Sequence, residues 1–398
     1  MAEAGIAPPA SRLLMEVSMT MRRTETHALL VTSARQLATA HLAPRAAEVD
    51  QGLLVPDESI EHLGRAGFLG LCVPERYGGT GADTLAFVLA TEELAKACAS
   101  TAFSLVAHAA ACEAILLGGT EDQKQRYLPG LATGAKLGAF GVHEENSGVQ
   151  AAAIETRATP QEEGFLLTGS KMFTTNGGTA GLFVVLARTE TRGAPKEFSL
   201  LVVERDTAGF SIGPARSRMG LNGVASRDLD FQDCRISSDS LLGKRGDGLP
   251  LTKATAAFAM LGAAATSLGV AQAALDASIG HARIRRISGQ PLAAHQAIQA
   301  LVAEMKADIA AARALLHETA RGWDPLVAGP AADAFTTKLV ASEMAVRVSD
   351  RALQVHGGHG YARELPIERY YRDARGLTLH FMTAEMLRIN IAQALLAA

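Results

Sequence analysis

The sequence predicts an α+β fold, in which helical segments flank a central β block. From about Glu25 to Gly134, apolar residues recur at three- and four-residue spacing, as in helices that bury one face. Short β-rich runs follow, separated by Gly, Asn, Asp and Pro. From Leu251 onward, long Ala-rich helical segments return. Because helices and strands occur in separate blocks, we expect separate layers rather than alternating βαβ units.

Each block can be followed in order along the chain. Two long periodic segments, near residues 25–50 and 84–116, flank the loop VPERYGGTG, whose proline and glycines interrupt regular structure. The runs GFLLTGSKMFTTN, GLFVVLART, EFSLLVVER and RDLDFQD predict strands. No Gly-rich turn follows a strand and opens a helix, which argues against a Rossmann fold or a P-loop. We expect an N-terminal extension at 1–22 and domains at 23–137, 138–246 and 247–398.

One segment, residues 254–275, carries no charge over a length that could span a bilayer. Its residues are mostly Ala, Gly, Ser and Thr, with few of the large apolar side chains that favour membrane insertion. Small residues also allow helices to approach closely. We therefore expect a helix buried among other helices.

Composition limits the classes of function. The chain has 398 residues, 48% hydrophobic and 20% charged, with a net charge of -3, which is typical of a soluble globular protein. This charge gives no electrostatic reason to expect nucleic acid or an anionic membrane as a partner. The four cysteines form no C-x-x-C pair, so we expect a reduced, cytoplasmic protein without a metal site. The first residues contain prolines and acids and lack the pattern of a signal peptide.

Seven motifs occur in order over nearly the whole chain. They are VPERYGGTG, GTEDQKQRYLPGLATG, GSKMFTTNGG with LFVVLART, LDFQDCRI with LLGKRGDG, AHQAIQ, LQVHGGHGY and YYRDAR. Together they resemble the acyl-CoA dehydrogenase family. The resemblance implies an N-terminal helical domain, a middle β-barrel-like domain and a C-terminal four-helix bundle. It also implies FAD between the middle and C-terminal domains, in a homodimer or homotetramer.

The resemblance further assigns cofactor roles to single residues. Thr175 matches a hydroxyl near flavin N5, Phe173 a tryptophan packed on the ring, and Arg285 an arginine that reaches the FAD diphosphate of a neighbouring subunit. A hydroxyl can orient the ring, and a guanidinium makes paired bonds to phosphate. The residues alone leave an alternative for each motif: KMFTTNGG is also typical of a strand that ends in a turn, and Arg285 is also typical of a solvated basic helix end. The implied cofactor contacts are Val142, His143, Phe173, Thr175, Arg285, His295, Gln296, Gln354, Gly357, Gly358, Thr383 and Glu385.

The family's catalytic glutamate is missing. In the family, this glutamate removes the α-proton of an acyl thioester while hydride leaves the β-carbon for the flavin. Its position is Phe381 here, which cannot accept a proton. The position that some relatives use instead is Ala259, followed by Met260 where an arginine near CoA is expected. Further departures from the family pattern occur at His143, Val149 and Ser288.

His380 and His143 are the candidate catalytic residues. A histidine titrates near neutrality and can act as a general acid or base, and His380 adjoins the lost carboxylate. The alternative is that His380 only packs. His143 would be a hydrogen-bond donor to the flavin or to oxygen. We interpret His108 as structural, and Glu144 and Glu145 as turn residues.

We therefore expect an FAD-dependent oxidoreductase that acts on an acyl thioester of CoA or a carrier protein. Its reaction would be α,β-dehydrogenation, or a decarboxylative or otherwise modified variant. Electrons would pass to an electron-transfer flavoprotein or to oxygen. Two alternatives are a flavin-dependent monooxygenase on the same fold, suggested by the two histidines, and a non-catalytic subunit of a hetero-oligomer.

Overall fold

The computed structural model describes residues 24–52, 57–147, 151–189, 196–323 and 330–396. The expected N-terminal extension (1–22) and the departure at Val149 lie outside these ranges. Within them a helical block, a β block and a second helical block follow one another. The predicted α+β class is therefore confirmed.

The N-terminal block is built around two almost fully buried helices, α4 and α5. Asp83 fixes the start of α4, because its carboxylate accepts a hydrogen bond of 2.7 Å from the backbone N–H of Ala86. The chain is extended at Cys98, where α4 ends and α5 begins. The helices are α1 (Glu25–Leu37), α2 (Ala46–Asp50), α3 (Asp57–Arg65), α4 (Thr84–Ala97), α5 (Ala99–Gly118) and α6 (Glu121–Ala132), with a π-helical turn at Ala38–Leu42 and 3₁₀ turns at Ala43–Arg45 and Glu75–Tyr77.

The middle block forms one mixed sheet of eight strands. The strand order is β6-β7-β3-β2-β4-β5-β8, and β1 pairs in parallel with β4. Neighbouring strands are otherwise antiparallel, except where β2 meets β4 in parallel at Arg157 and Arg188. The strands are β1 (Gly138–Gly141), β2 (Arg157–Gln161), β3 (Gly164–Thr174), β4 (Leu182–Arg188), β5 (Phe198–Glu204), β6 (Phe210–Ala215), β7 (Arg227–Ser237) and β8 (Leu241–Leu242), with 3₁₀ turns at Ala151–Ala153 and Ser238–Ser240.

Strands β4 and β5 are buried on both faces, which explains their continuous apolar sequences. Along β4, Leu182, Val184 and Leu186 pack with residues of α5 and α6. The intervening Phe183 and Val185 pack into the interior of the β block. Because side chains alternate along a strand, the strand joins the two cores and fixes the sheet against the N-terminal helices.

The C-terminal block is organised by two long helices, α7 and α9. Helix α9 packs against α7, α8, α11 and α12, and α7 also packs against α4 and α5. The elements are α7 (Gly248–Ile284), β9 (Arg286–Ile287), β10 (Gln290–Pro291), a 3₁₀ turn (Leu292–Ala294), α8 (Gln296–Arg321), α9 (Pro330–His356), α10 (Gly358–Tyr361), α11 (Ile367–Leu377) and α12 (Ala384–Leu396).

Small residues let α7 approach its neighbours. A Cβ on Gly269 would lie 2.5 Å from the Cβ of Ala95 in α4, and one on Gly262 would lie 2.7 Å from Val106 in α5. By length and composition, both α5 and α7 could cross a membrane, but most of the apolar part of each is buried inside the protein. The expectation of a buried helix at 254–275 is confirmed.

The YYRDAR motif ties α11 to the other two blocks. The Arg372 guanidinium pairs with Asp50 at 2.5 Å and with Glu368. The buried Asp373 carboxyl accepts a hydrogen bond of 2.6 Å from the backbone N–H of Leu221, and burial raises its pKa to about 7. These contacts fix the end of α11, and with it the segment 378–383 that follows.

Candidate active site

A cavity of about 940 Å³ lies between the β block, the C-terminal helices and α5. This volume is at the upper end of the roughly 300–1,000 Å³ typical of ligand pockets. Apolar side chains such as Phe103, Phe140 and Leu249 line much of it. Six of the site residues expected from the sequence also line it: Val142, His143, Phe173, Thr175, His380 and Thr383.

One wall is formed where β3 ends. Phe173 and Asn176 adopt positive φ values of 51° and 62°, so the chain turns sharply on either side of Thr175. The buried Asn176 amide holds this turn by donating to the carbonyls of Ser104 (2.9 Å) and Gly138 (3.2 Å). The Phe173 ring is 49% exposed, and the Arg216 guanidinium lies 4.9 Å from its centroid. An exposed, fixed ring beside a hydroxyl suits contact with a planar aromatic ligand.

His380, in the segment that follows α11, also lines the cavity. Its Nδ1 lies 2.7 Å from the carbonyl oxygen of Gly376, which assigns the proton to Nδ1 and leaves the Nε2 lone pair available. The ring packs edge-on against Phe103, with centroids 4.6 Å apart. Burial is the largest of the causes that lower the pKa of His380 to about 4; the charges of Arg218, Lys338 and His143 act in the same direction, and the hydrogen bond to Gly376 opposes them. His380 is therefore neutral at physiological pH.

Phe381 occupies a tight, unfavourable turn. Its φ is 59°, and the backbone N–H of Met382 donates to the carbonyl of His380 at 2.7 Å. A positive φ is rare for a bulky residue, and such strain often occurs at functional sites. The ring lines the cavity and lies 5.6 Å from that of Phe103. The side chain that replaces the expected carboxylate thus points into the cavity.

Two carboxylates line the described part of the cavity, Glu144 and Glu145. Glu144 is not the simple turn residue expected from the sequence. It accepts a bond of 2.5 Å from the buried Lys171 ammonium and further bonds from the backbone N–H groups of Glu155 and Thr156. Burial opposes its charge, but the Lys171 ion pair keeps the pKa of Glu144 below its usual range. Glu145 lies in the expected turn and is exposed.

The sequence also led to expectations about four other residues, His143, His108, Ala259 and Met260. His143 lines the cavity, and its backbone carbonyl accepts from the N–H of Met172 at 2.8 Å. His108 is buried away from the cavity lining and bonds the carbonyl of Leu69 (3.2 Å) and the N–H of Gly138 (2.9 Å). The structural interpretation of His108 is confirmed. Ala259 and Met260 are fully buried in α7. Neither side chain has a group that could act as a base.

The remaining expected residues form a second group outside the cavity lining. Arg285 caps the end of α7. Burial lowers the pKa of the His281 imidazole in the last turn of this helix, and the charges of His356 and Arg285 act in the same direction. The His281 ring stacks on that of His356, with centroids 4.4 Å apart. The buried Nε2 of His295 has no hydrogen-bond partner among the described residues. This second group comprises Arg285, His295, Gln296, Gln354, Gly357 and Gly358. Glu385 also lies outside the lining, exposed in the first turn of α12.

Several cavity residues were not identified from the sequence. Lys253 and Thr252 of α7 line the cavity, the first exposed and the second with a buried hydroxyl that has no partner in the described chain. Lys338, which is outside the cavity lining, is completely buried and bonds the backbone of the 378–382 segment. An isolated lysine on a helix is usually solvated, so nothing in the sequence distinguishes Lys253 or Lys338 from a surface lysine.

The cavity and the second group fit FAD. The cavity offers room, a half-exposed aromatic ring and hydroxyls at Thr175 and Thr383, and the second group offers a guanidinium and an orphaned buried imidazole nitrogen. A dinucleotide needs both an apolar cleft for its ring and cationic donors for its diphosphate. When FAD is bound, Phe173, Thr175 and His143 would contact its ring and Thr383 would contact another part of it.

Comparison with known proteins identifies the family. Three family models match consecutive parts of the chain: the acyl-CoA dehydrogenase N-terminal domain (residues 24–135), middle domain (139–234) and C-terminal domain (246–396). An acryloyl-CoA reductase (NADH) of Anaerotignum propionicum is 38% identical over 372 residues, which cover 92% of this chain and 93% of the relative.

Solved structures of similar proteins support the same family. Butyryl-CoA dehydrogenase from Megasphaera elsdenii matches with a TM-score of 0.90 and 35% identity, over 94% of this chain and 99% of the other. An acyl-CoA dehydrogenase complexed with FAD from Bacillus anthracis matches with a TM-score of 0.89 and 28% identity, over 94% of this chain and 67% of the other. These relatives confirm the expected class of FAD-dependent oxidoreductase. The chain belongs to the acyl-CoA dehydrogenase family.

Proposed function

We propose that this protein is an FAD-dependent oxidoreductase that acts on the α,β bond of an acyl thioester, with His380 in place of the usual glutamate. One observation carries the proposal. The hydroxyl of Thr175 and the imidazole of His380 line the same cavity, while the turn that would hold the glutamate carries Phe381.

FAD would supply the hydride acceptor for the substrate's β-carbon, or the donor in the reverse direction. Thr175 and Phe173 would hold the ring in place, since a fixed hydroxyl and a packed aromatic ring limit its motion. His143, on the same wall, would donate a hydrogen bond to the ring. With cofactor and substrate bound, the apolar part of the lining would limit the access of water and so protect hydride and proton transfer from side reactions.

His380 would accept the α-proton. Its Nδ1–H is held by the Gly376 carbonyl, so Nε2 is the basic atom. A pKa of about 4 gives this imidazole the basicity of a carboxylate in water, whose ordinary pKa is about 4.3 for glutamate. His380 can therefore match the thermodynamic role of the missing glutamate. In the reverse direction, suggested by the relative named an acryloyl-CoA reductase, it would return the proton.

The test is anaerobic mixing of the oxidised holoenzyme with a panel of acyl thioesters on CoA and on carrier protein. Loss of the flavin absorbance near 450 nm would report hydride transfer. We expect at least one thioester to bleach the flavin, and His380→Gln to slow bleaching without releasing FAD. If no thioester bleaches the flavin, whether the acyl group is on CoA or on carrier protein, the proposal fails.

A flavin-dependent monooxygenase is the second candidate. His143 and His380 both line the cavity, and the charge of His143 is the smallest of the causes that lower the pKa of His380, of which burial is the largest. In that case His143 could donate a hydrogen bond to an oxygen-derived group, whereas the unprotonated Nε2 of neutral His380 could accept one. Consumption of oxygen coupled to hydroxylation, with an external reductant and no thioester oxidation, would favour this candidate. A decarboxylating variant would instead release carbon dioxide from a carboxylated acyl thioester.

We propose a cytoplasmic homodimer or homotetramer with domain boundaries near residues 137 and 246. An electron-transfer flavoprotein or oxygen would accept the electrons. A non-catalytic subunit would be colourless after purification, whereas we expect a yellow protein with one FAD per chain.

A further inference from the structure

Lys338 is a completely buried cation in helix α9. Lysine is almost never fully buried unless its ammonium is paired, because an isolated charge in a protein interior is costly. Burial lowers the pKa of Lys338 to about 7, while the charges of Glu385 and Glu343 oppose that change. A residue with this environment requires a specific reason for its position.

The partners of the ammonium are two backbone carbonyls. Nζ donates to the carbonyl oxygen of Met382 at 2.7 Å and to that of Thr378 at 3.2 Å. Among the ion pairs of the described chain, none joins Lys338 to a carboxylate within 4 Å; Glu343 is instead bound by Arg388 at 2.6 Å. Lys338 therefore binds the backbone of the 378–382 segment rather than a carboxylate.

Those two carbonyls enclose the turn that distinguishes this site. Thr378 caps the end of α11, and Met382 lies just before α12. Between them are His380 and the strained Phe381, with its φ of 59°. A compact ammonium can bind two carbonyls that converge from different directions, and a positive charge also stabilises a helix C-terminus.

We propose that Lys338 is a positioning residue that holds the Thr378–Met382 turn, so that His380 and Phe381 face the substrate cavity. Removing its two bonds would let the turn relax toward a less strained backbone. The charge of Lys338 also acts on His380, together with those of Arg218 and His143. Loss of the Lys338 charge should therefore raise the pKa of His380.

The inference deepens the proposed function, but its main test needs no turnover. In the holoenzyme with ¹³C-labelled histidine, the His380 imidazole is titrated by NMR, its resonance being assigned by its loss in His380→Gln. We expect Lys338→Leu to raise the pKa of His380 and shift its resonance. Lys306→Leu is the matched control, because it removes an exposed lysine of α8 that lies outside the cavity lining, and it should leave both values unchanged.

A folded Lys338→Leu protein with the wild-type His380 titration would overturn the inference. If Lys338→Leu does not fold, the wild-type protein provides the same test. Because Lys338 titrates near pH 7, the His380 resonance should show a second inflection between about pH 6 and 8. A single inflection near pH 4 would contradict the proposal. With a thioester that bleaches the flavin, Lys338→Leu should also lower the bleaching rate by about tenfold or more, with little change in the affinity for that thioester.

Discussion

At the scale of single residues, the basicity of His380 decides how the site can work. An imidazole with a pKa of about 4 is neutral at pH 7 and can accept a proton there. It is a poor donor at that pH, because almost none of it is protonated. The arrangement therefore favours removal of a proton from the substrate when hydride also leaves, as in the concerted reaction of the family.

Restoring the carboxylate at Phe381 should make His380 dispensable. The Phe381 side chain lines the cavity next to His380, so a glutamate there would also reach the substrate. We expect Phe381→Glu/His380→Ala to recover most of the flavin bleaching rate that His380→Ala loses. Phe381→Gln/His380→Ala is the control, since glutamine has the same shape and no basic oxygen. Equal rates in the two double variants would contradict a proton-accepting role at this turn.

Lys253 should bind an anionic part of the substrate. It is an exposed cation on the cavity wall, on the same face of α7 as Met260, where the family has an arginine. An exposed ion pair is worth about 1 kcal/mol at most, so Lys253→Ala should weaken thioester binding by roughly fivefold. The maximal bleaching rate should not change. Lys306→Ala, on the exposed face of α8, is the control, and equal affinities in the two variants would exclude the role.

At the scale of elements, helix α7 depends on its glycines. A Cβ at Gly269 would lie 2.5 Å from the carbonyl oxygen of Glu92 and from the Cβ of Ala95, neither of which can move without shifting α4. Gly269→Val should therefore lower the free energy of unfolding by about 2 kcal/mol or more. Chemical denaturation measures this change.

Gly280 provides the matched control in the same helix. A Cβ there meets nothing within 4 Å, so Gly280→Ala should stabilise the protein by about 0.5–1 kcal/mol through helix propensity. If both substitutions have the same effect, close packing of α7 is not what requires the glycine at 269.

At the scale of the whole molecule, all the expected cofactor contacts except Glu385 fall into two groups, one that lines the cavity and one that includes Arg285 at the end of α7. The resemblance to the family explains why the contacts form two groups if the second group binds the FAD of a neighbouring subunit. We expect Arg285→Ala to weaken FAD binding by about tenfold or more, although Arg285 does not line this chain's cavity. Titration of the apoprotein with FAD, followed by absorbance, gives the affinity.

Arg283→Ala is the control for charge alone, because Arg283 is exposed on the same helix end. Dilution should also release FAD from the wild-type protein as the oligomer dissociates. Cofactor affinity that is independent of Arg285 and of protein concentration would show that each chain holds FAD alone.

The sequence predicts the order of helical and β blocks because apolar periodicity is a local property. It also predicts the buried α7, since small residues without charge indicate close helix packing. It does not show that Glu144 is bound by Lys171, that Lys338 supports the turn, or that Lys253 reaches the cavity. These facts depend on which residues meet after folding, over separations of 27 residues for Lys171 and Glu144 and 44 for Lys338 and Met382.

The most direct test is the pH dependence of anaerobic flavin bleaching in the wild-type protein and in His380→Ala. With a thioester that bleaches the flavin, the wild-type rate should rise as His380 loses its proton near pH 4 and stay constant above about pH 6. His380→Ala should be slower by about 100-fold and lack this inflection. A variant that keeps the wild-type rate and pH profile would show that His380 does not take the substrate proton.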